Sequence, residues 1–201
     1  MKRFFKYKEL EAGVDEAGRG CLAGPVTAAA VILPQDFKLE GLTDSKQVSK
    51  KLRNAWRPLI EEQSLAWSVV HIWEEEIGQK NILGATFHAM QSALGKLNPQ
   101  PKFICIDGNR FPGYGSIPHS CQVKGDARFL HIAAASILAK THRDEIMEKL
   151  DLDFPDYQWA KNKGYPTKAH RKAISEIGPC KHHRPGFQLL PVQKELPFTN
   201  I

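Results

Sequence analysis

Apolar residues along the chain form short runs separated by polar turns, and two kinds of spacing recur. Runs of neighbouring or alternating apolar residues predict strands at residues 11–15, 24–33, 65–72, 103–106 and 120–123. Apolar residues three or four positions apart predict helices at residues 49–62, 81–97, 126–149 and 167–177. Hairpin strands followed by strands that alternate with helices indicate an α/β fold, with a mixed β-sheet flanked by helices.

The charge of the chain is concentrated near its C-terminus. Between residues 161 and 184, seven basic residues stand against one acidic residue, an excess equal to the net charge of +6 of the whole chain. Such a region suits a surface that meets phosphate groups, although a solvated basic helix face explains the charge equally well. The length of 201 residues fits one main domain, predicted over residues 1–156, and a small basic helical region over residues 157–201.

The composition excludes several classes of protein. With 42% hydrophobic and 25% charged residues, the chain is neither disordered nor fibrous. The basic N-terminus lacks the apolar stretch of a secretory signal, and no apolar run reaches the roughly 18–20 residues that span a bilayer. The four cysteines form no C-x-x-C pair: Cys21, Cys105, Cys121 and Cys180. We therefore expect a cytoplasmic protein with free thiols and no membrane partner.

Acidic residues stand at the ends of apolar elements in three places. Asp15 and Glu16 end the first predicted strand, Asp107 follows the strand FICI, and Asp126 opens the predicted helix 126–149. Side chains at such ends can converge at one edge of a sheet, and clustered carboxylates repel one another unless a cation neutralises them. Their oxygens suit Mg²⁺ or Mn²⁺. An Asp after a strand is also a common turn former, so the spacing alone leaves both interpretations open.

A glycine-rich turn follows the first acidic pair. In Gly18-Arg19-Gly20 the backbone N–H groups can approach a phosphate or a sugar edge closely, and Arg19 adds a bidentate donor. A lone G-x-G is usually only a tight turn, and its position beside two carboxylates is what makes it a candidate site. Two divalent ions about 4 Å apart are the usual device for in-line attack on a phosphodiester.

Nine segments in chain order strongly resemble the signature of the ribonuclease HII family. They are GVDEAGRG at 13–20, LAGPV at 22–26, DSK at 44–46, NIL at 81–83, IDGN at 106–109, KGD at 124–126, AAASILAK at 133–140, RD at 143–144 and GYPTKAH at 164–170. The resemblance covers about residues 11–187. It implies a ribonuclease H-like fold with a small helical C-terminal appendage that contacts the duplex.

The resemblance also implies an activity and a metal centre. The expected reaction is endonucleolytic cleavage of the RNA strand of RNA–DNA hybrids, with incision 5′ of single ribonucleotides in duplex DNA and 5′-phosphate and 3′-hydroxyl ends. By motif, the metal-binding catalytic carboxylates are Asp15, Glu16, Asp107 and Asp126. Two divalent ions, Mn²⁺ or Mg²⁺, are expected in the substrate complex of a monomeric enzyme.

Residues for substrate recognition follow from the same motifs. Gly18, Arg19 and Gly20 match the turn that reads the ribose 2′-hydroxyl, and Tyr165 matches the aromatic residue that stacks on the next sugar. Predicted phosphate contacts come mainly from the basic region: Lys46, Lys168, Arg171 and Arg184. We expect three histidines at the surface or beside phosphates rather than on a transition metal: His170, His182 and His183.

The chain departs from the family pattern at two places. Pro185-Gly186 follows His183-Arg184 where a serine is common, and Gly78 replaces a common acidic residue. The first departure puts a phosphate contact there in doubt, and the second is expected only to weaken a local cap. A catalytically inactive hybrid-binding module is the main alternative function, but all four carboxylate positions are filled. Another nuclease of the same broad fold would not need the Gly-Arg-Gly turn and Tyr165.

Overall fold

The core of the fold is a five-stranded mixed sheet in the strand order β3-β2-β1-β4-β5. This computed structural model describes residues 1–2, 4–6, 10–39, 41–42 and 48–191. The strands are β1 (Glu11–Ala17), β2 (Val26–Ile32), β3 (Ala66–Ile72), β4 (Phe103–Asp107) and β5 (His119–Gln122). The first three pair antiparallel, whereas β4 is parallel to β1 and to β5. The predicted mixed sheet is thus confirmed.

Helices cover both faces of the sheet, and two shorter helices lie in the C-terminal region. They are α1 (Lys50–Gln63), α2 (Glu74–Gly95), α3 (Leu130–Asp153), α4 (Trp159–Asn162) and α5 (Lys168–Ile177). Hydroxyl caps begin two of them, as Ser49 accepts from the Leu52 N–H and Thr167 accepts from the His170 N–H. The predicted helices at 49–62 and 167–177 are confirmed within one residue.

Alternation along β1 divides the core into two layers. Ala12 and Val14 belong to a cluster with α2, whereas Ala17 belongs to a cluster with α1 and α3. Gly13 lies directly under α3, where an added Cβ would come within 2.2 Å of the His131 carbonyl carbon. The missing side chain therefore lets the helix backbone rest on the central strand, next to the strand end that carries Asp15.

Two helix starts differ from the prediction. Asp126 does not open α3, because it lies in a 3₁₀ turn, Gly125–Ala127, and the helix begins only at Leu130. The helix predicted to begin at residue 81 is the second half of α2, which begins at Glu74. Asn81 interrupts α2 with a left-handed φ of 57°, and its Oδ1 accepts from the N–H groups of Leu83 and Gly84. It therefore works as an N-cap inside a longer element.

The C-terminal region packs on its own small core. Tyr157, Trp159 and Ile174 cluster with Leu22 and with Met147 of α3. This packing joins the region to the loop between β1 and β2, which carries the Gly-Arg-Gly turn. Within the described part of the chain, no helix has the length and apolar character that crossing a membrane requires.

Candidate active site

Two carboxylates stand side by side where parallel strands end. In the β1–β4 register Val14 is opposite Ile106, so Asp15 and Asp107 are the next neighbours. Carboxylate oxygens of Asp15, Asp107 and Asp126 lie within 4.8 Å of one another. The structure thus brings together three of the four predicted ligands, from two strands and a turn that are far apart in sequence.

The side chain of Asp107 also holds the turn that carries Asp126. The Gly125 N–H donates to Asp107 Oδ1 at 2.7 Å. Lys124 enters this turn with a left-handed φ of 55°, and an added Cβ on Gly125 would lie 2.7 Å from Ile132 Cδ1. The close packing explains the glycine of the KGD segment and places Asp126 beside Asp107.

Glu16 lies on the opposite face of β1 from Asp15. Successive strand residues face opposite sides of a sheet, so Asp15 is buried toward α3 while Glu16 faces α2. Glu16 and Asp107 line an open groove of about 260 Å³ that also contacts Met90. Glu16 Oε1 accepts from Arg19 Nη1 at 3.1 Å. The fourth predicted ligand therefore borders the three-carboxylate group from the groove, together with a residue of the Gly-Arg-Gly turn.

The electrostatics of Asp15 fit a divalent cation. Burial raises the pKa of Asp15 well above its ordinary value, and the charges of Glu16 and Asp107 raise it further. Ser136 on α3 and the Glu16 N–H, which donates to Asp15 Oδ1 at 2.7 Å, oppose that rise by hydrogen bonding. Burial and neighbouring carboxylates make ionisation of Asp15 unfavourable unless a cation is bound. Grouped carboxylate oxygens of this kind match a hard divalent ion such as Mg²⁺ or Mn²⁺. The prediction did not single out Ser136, although it lies in the AAASILAK segment.

A buried arginine supports the Gly-Arg-Gly turn from below. Gly18 has a left-handed φ of 91°, and an added Cβ would lie 2.1 Å from Arg143 Nε. The Arg143 guanidinium donates to three backbone carbonyls: Ala23 at 3.1 Å, Pro25 at 2.9 Å and Lys163 at 2.9 Å. Only glycine fits above it. The sequence predicted no such role for Arg143, because its carbonyl partners lie 20 to 120 residues away along the chain.

Tyr165 lies beside the same turn. The residue is 38% exposed, and burial of its hydroxyl together with the neighbouring Cys21 thiol raises the pKa of that hydroxyl. Lys140 Nζ and Arg143 Cζ lie 5.8 Å and 5.9 Å from the ring centre. The exposed ring of Tyr165 therefore lies close to the buried Arg143 that also supports the Gly-Arg-Gly turn.

The predicted phosphate contacts have different surroundings. Lys168 is exposed at the start of α5, whereas Arg171 Nη1 donates to the carbonyls of Gln188 and Leu189. Lys46 lies outside the described residues. Arg184 corrects the prediction, because it is only 1% exposed and is not available at the surface. Its Nε donates to the Gly24 carbonyl at 2.9 Å and its Nη1 to the Arg19 carbonyl at 3.1 Å.

The histidines of the basic region are a second correction. His170 and His183 are buried, not at the surface, and they hydrogen-bond to each other. The third, His182, is partly buried and lies 3.4 Å from Glu74 Oε1. Aromatic rings surround all three, so their environment is that of a core.

Comparisons with known proteins identify the family and the fold. The profile of the family Ribonuclease HII matches residues 12–190. The chain is 54% identical over 198 residues to the Ribonuclease HII of Christiangramia forsetii, covering 98% of this chain and 100% of that protein. It also resembles the RNase HII of Archaeoglobus fulgidus, solved in complex with PCNA, with a TM-score of 0.76 at 23% identity over 93% of this chain and 98% of that one. Bst-RNase HIII, solved with Mn²⁺, has a TM-score of 0.67 at 19% identity over 84% and 62% of the two chains. The predicted ribonuclease H-like fold is confirmed.

Proposed function

Because the chain belongs to the ribonuclease HII family and is a metal-dependent ribonuclease H, we propose that it also incises duplex DNA 5′ of single ribonucleotides. The proposed cut leaves 5′-phosphate and 3′-hydroxyl ends. One observation carries the proposal: Arg19 of the glycine turn lines the same groove as Glu16 and Asp107. A reader of the ribose and the carboxylates that cleave next to it would then share one surface.

The four carboxylates are the proposed metal ligands: Asp15, Glu16, Asp107 and Asp126. We propose that two ions, Mn²⁺ or Mg²⁺, bind in the substrate complex. When bound, such ions activate water for attack on the phosphodiester and stabilise charge on the leaving 3′ oxygen. The chain itself positions the ligands, since the Gly125–Asp107 hydrogen bond aligns Asp126 and the Glu16 N–H aligns Asp15.

Recognition of the ribose is assigned to the surface formed by the turn and Tyr165. A 2′-hydroxyl both donates and accepts, and it is the group that distinguishes RNA from DNA. The backbone of Gly18, Arg19 and Gly20 would bind it, and the exposed face of Tyr165 would stack on the following deoxyribose. Lys46, Lys168 and Arg171 are the proposed phosphate contacts. Residues 1–156 would thus be the catalytic domain, and residues 157–201 would contact the duplex.

The experiment compares three labelled duplexes under three metal conditions. One is DNA with a single ribonucleotide, one is a continuous RNA–DNA hybrid, and one is DNA alone. Each is incubated with Mg²⁺, with Mn²⁺ or with EDTA, and the products are sized against 5′-phosphate and 3′-hydroxyl markers. We expect metal-dependent incision on the 5′ side of the lone ribonucleotide and no cleavage of DNA.

The other outcomes contradict separate parts of the proposal. Cleavage of the long hybrid alone would keep the metal centre but remove the ribonucleotide-reading role of the turn and of Tyr165. Tight hybrid binding without cleavage would favour the inactive binding module. Equal cleavage of all three duplexes would contradict any recognition of the 2′-hydroxyl.

Two finer properties complete the proposal. We place the enzyme in the cytoplasm as a monomer, and its four cysteines are free thiols, which a reducing compartment preserves. Light scattering during gel filtration tests the monomer, for which a mass near 22.6 kDa is expected. A concentration-independent mass of twice that value would contradict it.

A further inference from the structure

A continuous hydrogen-bonded chain runs through the core of the C-terminal region and ends under Tyr165. Trp159 Nε1 donates to His170 Nε2 at 3.0 Å, and His183 Nε2 lies 3.2 Å from the same His170 nitrogen. On the other side of the ring, His170 Nδ1 lies 2.9 Å from the Tyr165 carbonyl oxygen. The Cys180 N–H donates to His183 Nδ1 at 3.0 Å.

The chemistry of the partners fixes where each proton lies. An indole nitrogen can only donate, so His170 Nε2 must accept, and His170 Nδ1 must carry the proton that it shares with the Tyr165 carbonyl. Because the Cys180 N–H also only donates, His183 Nδ1 accepts and His183 Nε2 donates to His170. Both histidines are neutral in this arrangement, and the single lone pair of His170 Nε2 is shared between the donors of Trp159 and His183.

Burial supports the neutral state. It lowers the pKa of His170, and burial together with the neighbouring His170 lowers the pKa of His183 to about 4. A charged His170 would turn Nε2 into a donor facing two donors. At neutral pH the network therefore presents one defined donor, the His170 Nδ1–H, to the Tyr165 carbonyl, and the backbone of Gly164 is a second, weaker partner of the same ring.

That oxygen belongs to the residue whose ring the proposed function assigns to the substrate. The Tyr165 carbonyl also accepts from the Thr167 N–H at 2.8 Å, which closes the turn leading into α5. Resting on that proposed function, we propose that His170 is a positioning residue for substrate recognition: its Nδ1–H holds the Tyr165 backbone so that the ring faces the bound sugar. Trp159 and His183 select the tautomer that makes this possible.

Two isosteric substitutions separate positioning from packing. The amide nitrogen of His170→Asn can replace Nδ1 and keep the donor to Tyr165, but the variant loses the acceptor for Trp159 and His183. His170→Gln can replace Nε2 as the acceptor but loses the donor to Tyr165. We expect His170→Gln to raise KM for the single-ribonucleotide duplex about 3- to 10-fold with little change in kcat, the range that one lost hydrogen bond allows.

The stability of the two variants should follow the opposite order. Urea unfolding should have a lower midpoint for His170→Asn, which strands two buried donors, than for His170→Gln, whereas KM for His170→Asn stays within about 2-fold of the parent enzyme. A KM that rises in proportion to lost stability in both variants would overturn the inference. So would a larger KM change in His170→Asn than in His170→Gln.

A Tyr165→Ala enzyme tests whether the effect of His170→Gln on KM depends on the Tyr165 ring. In a Tyr165→Ala enzyme, His170→Gln should leave KM unchanged, because no ring remains to be positioned. An equal rise in both backgrounds would overturn the inference. If Tyr165→Ala raises KM but His170→Gln does not, the inference fails and the proposed role of Tyr165 stands. An unchanged KM in Tyr165→Ala would overturn both the inference about His170 and the proposed role of Tyr165.

Discussion

The ends of the central strands and the C-terminal region use charged and polar groups in opposite ways. At the strand ends, Asp15, Asp107 and Asp126 are grouped within 4.8 Å, and burial and neighbouring charge both disfavour ionisation of Asp15. In the C-terminal region, buried groups such as Arg184 and His170 each have backbone carbonyls as partners. One region groups like charges, whereas the other pairs its buried charge with backbone carbonyls, although Arg184 Nη2 itself has no hydrogen-bond partner among the described residues.

This difference separates stability from activity. A group that is strained in the free protein and relieved by a ligand can be removed without loss of stability, but its removal abolishes the chemistry. A buried group that satisfies backbone carbonyls stabilises the fold, and its removal leaves those carbonyls without partners. We therefore expect substitutions at the strand ends to affect catalysis first and those in the C-terminal region to affect folding first.

The largest expected effect is that of Asp126→Asn on cleavage. Loss of one anionic ligand weakens the centre that activates water, so kcat on the single-ribonucleotide duplex should fall by at least about 10³-fold. Binding of the uncleaved duplex, measured by fluorescence anisotropy, should be retained, because the recognition surface is intact. Asp153→Asn, at an exposed position on α3, makes the same change of charge and should leave kcat unaltered. Substantial cleavage by Asp126→Asn would exclude Asp126 from the metal centre.

The strand ends could be predicted from the sequence because the same local pattern, an apolar strand with an acidic residue near its end, occurs more than once. Asp15 lies near the end of the seven-residue strand β1 and Asp107 is the last residue of the five-residue strand β4, and parallel pairing places these two residues together. The sequence predicts that Asp126 lies near the other two carboxylates, which is confirmed, and that it opens a helix, which is wrong because it lies on a 3₁₀ turn. Short turns of this kind have no periodic spacing of apolar residues. A helix predicted from the pattern that follows therefore begins too early and includes the residues of the turn.

The C-terminal region could not be predicted in the same way. Its basic residues indicated a charged surface, but Arg184 is buried and Lys163 is 2.6 Å from Glu148. Gly78 and Pro185, the two departures from the family pattern, turn out to be neighbours, since an added Cβ on Gly78 would lie 3.3 Å from Pro185. Gly78 is thus a packing position and not a weakened cap. Such pairings depend on tertiary contacts between segments far apart in sequence, which composition does not encode.

The next largest effect should be that of Arg184→Ala on stability. The variant leaves the carbonyls of Gly24 and Arg19 without their buried donor, which should lower the free energy of unfolding by about 3 kcal/mol. Urea denaturation monitored by tryptophan fluorescence measures it. Lys181→Ala, an exposed neighbour in the same basic region, should change stability by less than about 0.5 kcal/mol. If Arg184→Ala is as stable as Lys181→Ala but binds the hybrid more weakly, Arg184 contacts phosphate after all.

In contrast to Arg184→Ala, Asp15→Asn should raise the free energy of unfolding. The folded-state pKa of Asp15 is raised, so its stabilising contribution is complete below the unfolded value of about 3.9 and is lost as the pH rises through the folded value. In EDTA at neutral pH, the Asn variant should therefore be more stable than the parent by about 1 kcal/mol or more, while it lacks cleavage activity. The difference should vanish near pH 4, where both side chains are neutral.

Unfolding curves in urea at the two pH values check this prediction. Millimolar Mn²⁺ at neutral pH should reduce this difference in stability, because only the parent protein has an Asp15 carboxylate whose charge the ion can neutralise. A parent protein that is more stable than Asp15→Asn in EDTA at neutral pH would show that the carboxylate is already compensated without a metal. The contrast between the two regions would then be lost.

The smallest effect tests the part of the C-terminal charge that does face outward. Lys168 is exposed at the start of α5, three residues after Tyr165, and Lys168→Ala should leave stability nearly unchanged. Its affinity for the hybrid should fall only about 2- to 5-fold at low salt, and the slope of log Kd against log salt should decrease by about 0.9, the share of one phosphate contact. Lys149→Ala, whose parent side chain is 71% exposed on α3, makes the same change in net charge. An equal loss of slope in both variants would mean that Lys168 acts only through the overall charge of the protein, whereas a loss confined to Lys168 would place the duplex against the face that carries Tyr165.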